Sequence, residues 1–252
     1  PARRGGLVIA LRHGVFRAPH WGGALTLIAP VGYDTATIRF NDGKCDSLGR
    51  LWAGTMYEPR SARLAELYCI DARGTFESQA APKVEVKQRD AILANGLAWS
   101  PDNTTMYWAD TVDHVIHAWD WDAATGAMTN RRVFQQLAPK PAGWTSEFSQ
   151  ASRYGGRPDG CAVDAQGNYY AAMFEGQRLL KFAPSGELLA EMPTPTRCTT
   201  MPCFGGDDMK TLFITTASYN RSAEELAAQP QAGQVFSMRL DVPGLPVNFF
   251  ED

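Results

Sequence analysis

The chain has 252 residues, of which 44% are hydrophobic and 20% charged, and its formal net charge is −3. This balance, with no run of like charges, argues against a nucleic-acid partner. No apolar stretch approaches the roughly 20 residues that cross a bilayer, so we expect no membrane partner either. Five scattered cysteines without a Cys-x-x-Cys pair, and no signal peptide at the start, predict a cytoplasmic protein with reduced thiols.

Short apolar or aromatic runs bounded by Gly, Pro, Asp and Asn follow one another along the chain, and this pattern predicts an all-β protein. Clear examples are residues 6–11, 51–55, 106–109, 169–173 and 212–216. Residues 138–154 have a weak pattern and predict a surface loop. One short helix is expected at residues 222–228, where Ser222 can cap it. No linker divides the chain, so residues 1–252 are predicted to form a single domain.

Three segments of the chain share one frame, in which a polar residue leads into a strongly apolar strand. They run from Asn41 to Thr55, from Asn95 to Thr111 and from Asp159 to Met173, and a weaker fourth copy begins at Cys203. When Trp52, Trp108, Tyr170 and Ile214 are taken as equivalent, the spacings are 56, 62 and 44 residues. Each unit offers about four short strands, and this is the scale of a β-propeller blade. A two-layer sandwich explains the strands but not the repeat, so a propeller is the prediction.

The polar residues Asn41, Asn95 and Asp159 occupy the same position in this frame. Because the innermost strand of each propeller blade lines the central channel, we expect these three side chains to converge near its axis. Oxygen ligands without His or Cys suit a hard divalent cation such as Ca²⁺, Mg²⁺ or Mn²⁺. The alternative is that the Asn-Gly and Asp-Gly dipeptides only form tight turns.

The sequence around these positions resembles a known family. Arg39-Phe-Asn-Asp-Gly-Lys-Cys-Asp46, followed by Trp52-Ala-Gly-Thr-Met56, is similar to the signature of the regucalcin/gluconolactonase group, also called the senescence-marker-protein family. Asn95-Gly-Leu-Ala-Trp-Ser-Pro-Asp102, Pro158-Asp-Gly160 and Cys203-Phe-Gly-Gly206 continue the likeness in the family's order, over nearly the whole chain. The resemblance implies an all-β, six-bladed propeller of four-stranded antiparallel blades, with one divalent metal ion in its channel and activity on small sugar lactones.

The resemblance also implies roles for particular residues. Asn95 and Asp159 match two metal-binding positions of the family. Arg39 and Asn41 match substrate-contacting positions, and Glu58 falls in or next to a further one. Ca²⁺ is the expected metal ion, with Zn²⁺, Mn²⁺ and Mg²⁺ as alternatives.

Two features depart from the family pattern. The third metal ligand of the family, a Glu in a Glu-Gly-Pro motif, has no counterpart in this sequence. Residues 3–10 resemble a stretch that normally lies well inside the family sequence, so roughly 40–50 residues, about one blade, are missing ahead of it. We therefore expect the N-terminal part of the first blade to be absent from this chain, together with the third ligand.

These observations predict a metal-dependent lactonase. The cation would stabilise the charge that develops on the lactone carbonyl oxygen and would activate water. Asp159 is the predicted ligand and general base, because it is the only carboxylate among the three equivalent residues. Arg39 and Asn41 would bind sugar hydroxyls, and Glu58 would accept another hydrogen bond.

Other interpretations stay open at this point. A propeller can be a non-catalytic calcium-binding or interaction protein, because a fold alone does not decide function. The same metal site also suits promiscuous hydrolysis of other esters or phosphotriesters. A serine hydrolase is disfavoured, since the sequence contains no Gly-x-Ser-x-Gly motif. The sequence is compatible with a monomer or a small homo-oligomer, and it does not identify the lactone or the physiological metal.

Overall fold

The computed structural model describes residues 1–252 and consists almost entirely of β-strands. Eighteen strands form five antiparallel sheets of three or four strands, and strands that follow one another in sequence are neighbours in each sheet. The first two sheets contain β1–β3 (Leu7–Leu11, Gly14–Ala18, Thr26–Pro30) and β4–β7 (Ile38–Cys45, Leu51–Tyr57, Ala65–Asp71, Lys83–Ala91). The third contains β8–β11 (Ala94–Trp99, Thr105–Asp110, Val115–Asp122, Ala127–Gln136). The last two contain β12–β15 (Arg157–Val163, Tyr169–Phe174, Arg178–Phe182, Leu188–Pro193) and β16–β18 (Thr199–Gly205, Thr211–Thr216, Val235–Arg239).

Helical structure is confined to three short segments between strands. These are α1 (Thr75–Ser78), α2 (Ala223–Ala228) and a 3₁₀-helix (Phe148–Arg153). The predicted helix cap is confirmed, because the Ser222 hydroxyl accepts a hydrogen bond of 3.1 Å from the backbone N–H of Glu225. No helix in the structure has the length and hydrophobicity needed to cross a membrane.

The prediction of an all-β propeller is confirmed, but the predicted number of six blades is wrong. The sheets form five blades, and the first strands of successive blades contact one another around the channel. Three blades have four strands, whereas the first and last have three each. The number six was taken from the family resemblance. The strands that this chain supplies are all used in five sheets, so none is left for a sixth.

Large aromatic side chains fill the space between the second and third blades. Trp52 of β5 packs edge-to-face on Trp121 of β10 with ring centroids 5.0 Å apart, and Trp99 of β8 lies 5.6 Å from Trp121. Trp108 and Trp119 complete the same buried cluster. These tryptophans pack the second and third blades against each other. Such contacts fix the relative position of adjacent sheets, and therefore of the first strands that line the channel.

A buried aspartate closes the hairpin after the first strand in two of the blades. Asp46 accepts hydrogen bonds from Arg50 Nε at 2.5 Å and from Trp52 Nε1 at 2.8 Å. Asp164, in the fourth blade, accepts one from the hydroxyl of Tyr170 at 3.0 Å. Both carboxylates are almost completely buried. Because each is satisfied by several donors, it ties the hairpin to an aromatic side chain of the interior.

The segment after β18 connects the last blade to the first. Gly244 pairs with Asp164 of the fourth blade, and the side-chain amide of Asn248 donates to the backbone oxygen of Cys45 at 3.1 Å. Phe250 forms a parallel bridge with Ala2. The C-terminal segment therefore runs across three blades and meets the start of the chain.

We expect Asp46→Asn to lower the free energy of unfolding by about 3–5 kcal/mol, because it leaves the buried guanidinium of Arg50 without its carboxylate. Denaturant unfolding followed by tryptophan fluorescence measures this value. Asp71→Asn is the matched control, since its ion pair with Arg73 is partly exposed. The control should change stability by no more than about 1 kcal/mol. Equal effects of the two substitutions would contradict the role of the buried carboxylate.

Candidate functional site at the channel mouth

The three polar residues of the repeat lie at β-bulges in the first strands of their blades. The pairing register shifts between Phe40 and Asp42 in β4, between Asn95 and Ala98 in β8, and between Pro158 and Cys161 in β12. A bulge bends a strand and redirects its side chains. The alternative that the Asn-Gly and Asp-Gly dipeptides only form tight turns is therefore wrong, because all three lie within strands.

Gly96 shows why a glycine follows the polar residue in β8. Its φ of +57° is a backbone conformation that favours glycine. A Cβ atom at this position would lie 2.4 Å from the hydroxyl oxygen of Tyr169. That hydroxyl donates a hydrogen bond of 2.8 Å to the backbone oxygen of Gly96. The bulge thus allows the third and fourth blades to approach each other directly beneath Asn95.

A chain of hydrogen bonds connects the predicted site residues across three blades. Asn41 Nδ2 donates to Asn95 Oδ1 at 3.0 Å and to the backbone oxygen of Ala94 at 2.9 Å. Asn95 Nδ2 donates to Thr111 Oγ1 at 2.7 Å. The Thr111 hydroxyl in turn donates to the backbone oxygen of Pro158 at 2.7 Å, one residue before Asp159. Asn95 is buried and Asn41 is exposed, so the chain leads from the solvent edge to the channel wall.

Two carboxyl groups lie near each other in the channel. Burial raises the pKa of Asp159 to about 7, and the nearby negative charge of Asp42 contributes to the increase. Burial also raises the pKa of Asp42, against the opposing effects of Lys44 and the backbone N–H of Leu97. Asp159 therefore changes its protonation state near neutral pH, as a general base at this pH needs to do.

Arg39 and Glu58 form a second part of the site. Arg39 Nη1 donates to Asn41 Oδ1 at 3.2 Å, and Arg39 Nε donates to Glu58 Oε1 at 3.2 Å. Arg12 binds the same carboxylate through two nitrogens, at 2.8 and 3.0 Å. The hydrogen bonds from Arg12 are the largest cause of the lowered pKa of Glu58, so this group is ionised. Glu58 holds Arg39 beside Asn41 and has no direct contact with Asn95 or Asp159.

Three residues of the site were not identified from the sequence. Arg157 precedes Asp159 by two residues, as Arg39 precedes Asn41, so the register of the repeat contained a signal for it. Asp42 stands directly after Asn41 in the family signature, but the signature gave it no role. Thr111 connects two blades from the end of a second strand, and no motif indicated this contact.

The side-chain oxygen atoms of Asn95 and Asp159 are the ligand atoms available to a hard cation at this place. The negative charge of Asp42 contributes to the raised pKa of Asp159. A cation bound between the two carboxyl groups would reduce this repulsion. No group of three or more His, Cys, Asp or Glu side chains in the structure is arranged to hold a metal ion. Asn95 and Asp159, on the first strands of adjacent blades, are the residues that would hold a cation here.

The fold and the site define a propeller whose channel mouth carries amide, carboxylate and guanidinium groups from three blades. Residues 1–218 match the SMP-30/gluconolactonase/LRE-like region, and the chain belongs to this family. It is 39% identical over 241 residues to a 6-deoxy-6-sulfogluconolactonase of Pseudomonas putida, a match that covers 96% of this chain and 75% of that protein. It is 34% identical over 235 residues to regucalcin of Gallus gallus, with 92% and 73% covered.

Comparison with solved structures gives the same result. The crystal structure of a calcium-binding protein, regucalcin, from Agrobacterium tumefaciens superposes with a TM-score of 0.83 at 27% identity. The superposition covers 97% of this chain and 75% of the other. The family resemblance inferred from the sequence is therefore confirmed.

We expect Asp42→Asn to lower the pKa of Asp159 from its value of about 7, because the substitution removes a nearby like charge. Carbon-13 NMR of the side-chain carboxyl carbons, in protein freed of metal with a chelator, measures the titration. Asp241→Asn is the control, since Asp241 is exposed and outside the site. An unchanged titration of Asp159 in Asp42→Asn would contradict the coupling.

The same group makes stability depend on pH. The pKa of Asp159 is higher in the folded protein than the value of about 3.9 in an unfolded chain, so the folded state retains a proton that the unfolded state has lost. Its contribution to stability is complete below about pH 4 and is lost as the pH rises through about 7. Denaturant unfolding of metal-free protein should show that Asp159→Asn removes this decrease. An identical pH dependence in both proteins would contradict it.

Proposed function

We propose that the protein is a hydrolase that opens small sugar lactones. The observation that carries the proposal is the hydrogen-bonded connection of Arg39, Asn41 and Asn95, which continues through Thr111 to the backbone of Pro158, one residue before Asp159. Membership of a family that includes gluconolactonases supports it, as does the 39% identity to a relative named for the hydrolysis of a sulfonated sugar lactone. A small lactone is the proposed partner.

Asn95 and Asp159 are the proposed ligands of one divalent cation, with Ca²⁺ as the proposed ion. Their oxygen atoms match the ligand preference of hard cations, and the Agrobacterium neighbour is described as a calcium-binding protein. When bound, such an ion supplies a Lewis acid that polarises a carbonyl group and lowers the pKa of water. Asp42 contributes negative charge next to Asp159 without being assigned as a ligand.

The proton transfer and the binding of the substrate are assigned to three side chains of the site. Asp159 is proposed to accept the proton of the water that adds to the lactone carbonyl carbon. The bond between that carbon and the ring oxygen then breaks, and the ring oxygen takes up a proton to give the open hydroxy acid. Arg39 and Asn41 have polar atoms at the channel mouth and are proposed to bind sugar hydroxyls, which orients the ring.

Glu58 is proposed to act in substrate binding through Arg39. Three of the roughly four acceptor positions of its carboxylate are used by Arg12 and Arg39. One position is therefore left for a substrate hydroxyl. The larger effect of Glu58 is to keep the Arg39 guanidinium next to Asn41.

We expect hydrolysis of glucono-1,5-lactone to stop after chelation and to return when Ca²⁺, Mn²⁺, Zn²⁺ or Mg²⁺ is added back. Asp159→Asn should lower kcat by about 10²–10⁴-fold in the presence of the restoring metal, because it removes the base. A pH indicator follows acid production, with spontaneous opening subtracted. Asp241→Asn makes the same chemical change outside the site and should keep full activity.

The outcomes separate the proposed enzyme from a binding propeller. Near-normal turnover by Asp159→Asn would contradict the role of Asp159. Tight binding of Ca²⁺ by calorimetry, with no hydrolysis of any sugar lactone by folded protein, would replace the lactonase by a non-catalytic metal-binding function. Faster hydrolysis of aryl esters or phosphotriesters than of lactones would favour the broader esterase activity.

A further inference from the structure

A second group of charged residues lies beside the site and contains more positive than negative charge. We call it the basic cluster, and it consists of Lys140, Arg157, Arg197 and Arg221 with Glu175 and Glu225. Arg157 hydrogen-bonds to Glu175, and Arg221 donates to the other oxygen of that carboxylate at 3.1 Å. Arg197 donates to Glu225 at 2.9 Å. Four cations surround two carboxylates, so the basic cluster carries a net charge of +2.

Apart from the exposed Lys140, the basic cluster is buried, and its hydrogen-bonding capacity is not fully used. The side chain of Arg197 is 1% exposed and that of Glu175 is 2% exposed. Arg197 Nε and Nη2 and Arg221 Nε have no hydrogen-bond partner. A buried cation with unused N–H groups costs free energy unless an acceptor reaches it. A bound anion from outside the protein would accept hydrogen bonds from these unpaired N–H groups and would reduce the excess positive charge.

The basic cluster adjoins the residues proposed for catalysis. Arg157 precedes Asp159 by two residues on β12, and its charge acts on that carboxyl. Arg60, in the loop after β5, lies near Arg157 on one side and Arg39 on the other. Arg60 forms no ion pair with a carboxylate, so it adds to the excess of positive charge. A band of cations therefore runs from the basic cluster to the proposed sugar-binding arginine.

The repeat explains how this arrangement arises in the fold. Arg39 pairs with Glu58 in the second blade, and Arg157 pairs with Glu175 at the corresponding place in the fourth. Arg12 of the first blade also binds Glu58, so two cations share one carboxylate and this group has a charge of +1. Around the pair of Arg157 and Glu175, neighbouring segments add the three cations Lys140, Arg197 and Arg221 but only one carboxylate, Glu225. The same structural position is thus electrostatically different in the two blades.

We propose that the basic cluster, together with Arg60, recognises an anionic substituent on the substrate, so that the protein prefers sugar lactones that carry a sulfonate, phosphate or carboxylate group. The inference rests on the proposed lactonase function and specifies its substrate class. Guanidinium groups suit this task because their planar N–H donors match the oxygens of such anions. The position beside Asp159 would bring the charged end of the substrate to the basic cluster while the lactone ring faces the carboxyl group.

The test compares glucono-1,5-lactone with its analogue that carries a sulfonate at carbon 6. We expect wild-type kcat/KM to be at least about 100-fold higher for the sulfonated lactone. Lys140→Met and Arg60→Met should each reduce the ratio of the two values by about 10-fold, mainly through KM for the sulfonated compound. These positions are chosen because both side chains are accessible to solvent. Lys140→Met removes only a 3.9 Å contact with Glu175, and the ion pairs of that carboxylate with Arg157 and Arg221 remain.

Arg63→Met is the matched control, since Arg63 is a partly exposed arginine of the same loop as Arg60 but is paired with Asp90 and Asp113. It should keep the wild-type ratio. Methanesulfonate should compete with the neutral lactone in the wild type, and less well in Lys140→Met, at constant ionic strength set with chloride. Competition by methanesulfonate in the wild type tests anion recognition even if one of the variants fails to fold.

The outcomes distinguish the substrate class from the function itself. Hydrolysis of both lactones with a ratio near one, or no competition by methanesulfonate, would overturn the proposed recognition and leave the lactonase standing. An equal loss of the ratio in Arg63→Met would show an effect of overall charge and would also overturn it. No hydrolysis of either lactone would overturn both proposals.

Discussion

The site depends on one constraint, the hydrogen-bonded connection from Asn41 through Asn95 and Thr111 to the backbone of Pro158. Two of the three bonds join different blades, and the third joins Asn95 of β8 to Thr111, directly after β9. The amide of Asn95 is both acceptor and donor, so its orientation is determined on both sides. The polar groups at the channel mouth are therefore held by the packing of whole sheets, whereas a site built on loops would be less rigid.

One region with excess negative charge and one with excess positive charge lie close to this chain of hydrogen bonds. In the channel, Asp42 and Asp159 repel each other, and next to them the basic cluster contains an excess of cations. Arg157 stands between these regions, because it binds Glu175 and also lowers the pKa of Asp159. Each region alone would be costly to bury. Together they partly compensate, which keeps the Asp159 carboxyl near the middle of the pH range rather than permanently protonated.

The sequence was sufficient to predict which polar residues are equivalent, but not the backbone geometry that positions them. The equivalent placement of Asn41, Asn95 and Asp159 was visible because the repeat preserves strand register, and their location on first strands followed from the propeller. The bulges were not visible, because Asn-Gly is equally typical of a turn. The blade number was wrong because it came from relatives rather than from the strands present. Contacts such as that of Thr111 depend on how blades pack, which one-dimensional periodicity does not encode.

The C-terminal segment has a consequence for the order in which the molecule folds. Each sheet is made of strands adjacent in sequence, so every blade can form by closing short loops, at small entropic cost. The bridge between Ala2 and Phe250 instead joins residues that are far apart in the sequence. Its contacts become favourable only after the intervening sheets are in place, because closing so long a loop is slow and entropically expensive. We therefore expect the contact between Ala2 and Phe250 to form late in folding and to open early in unfolding.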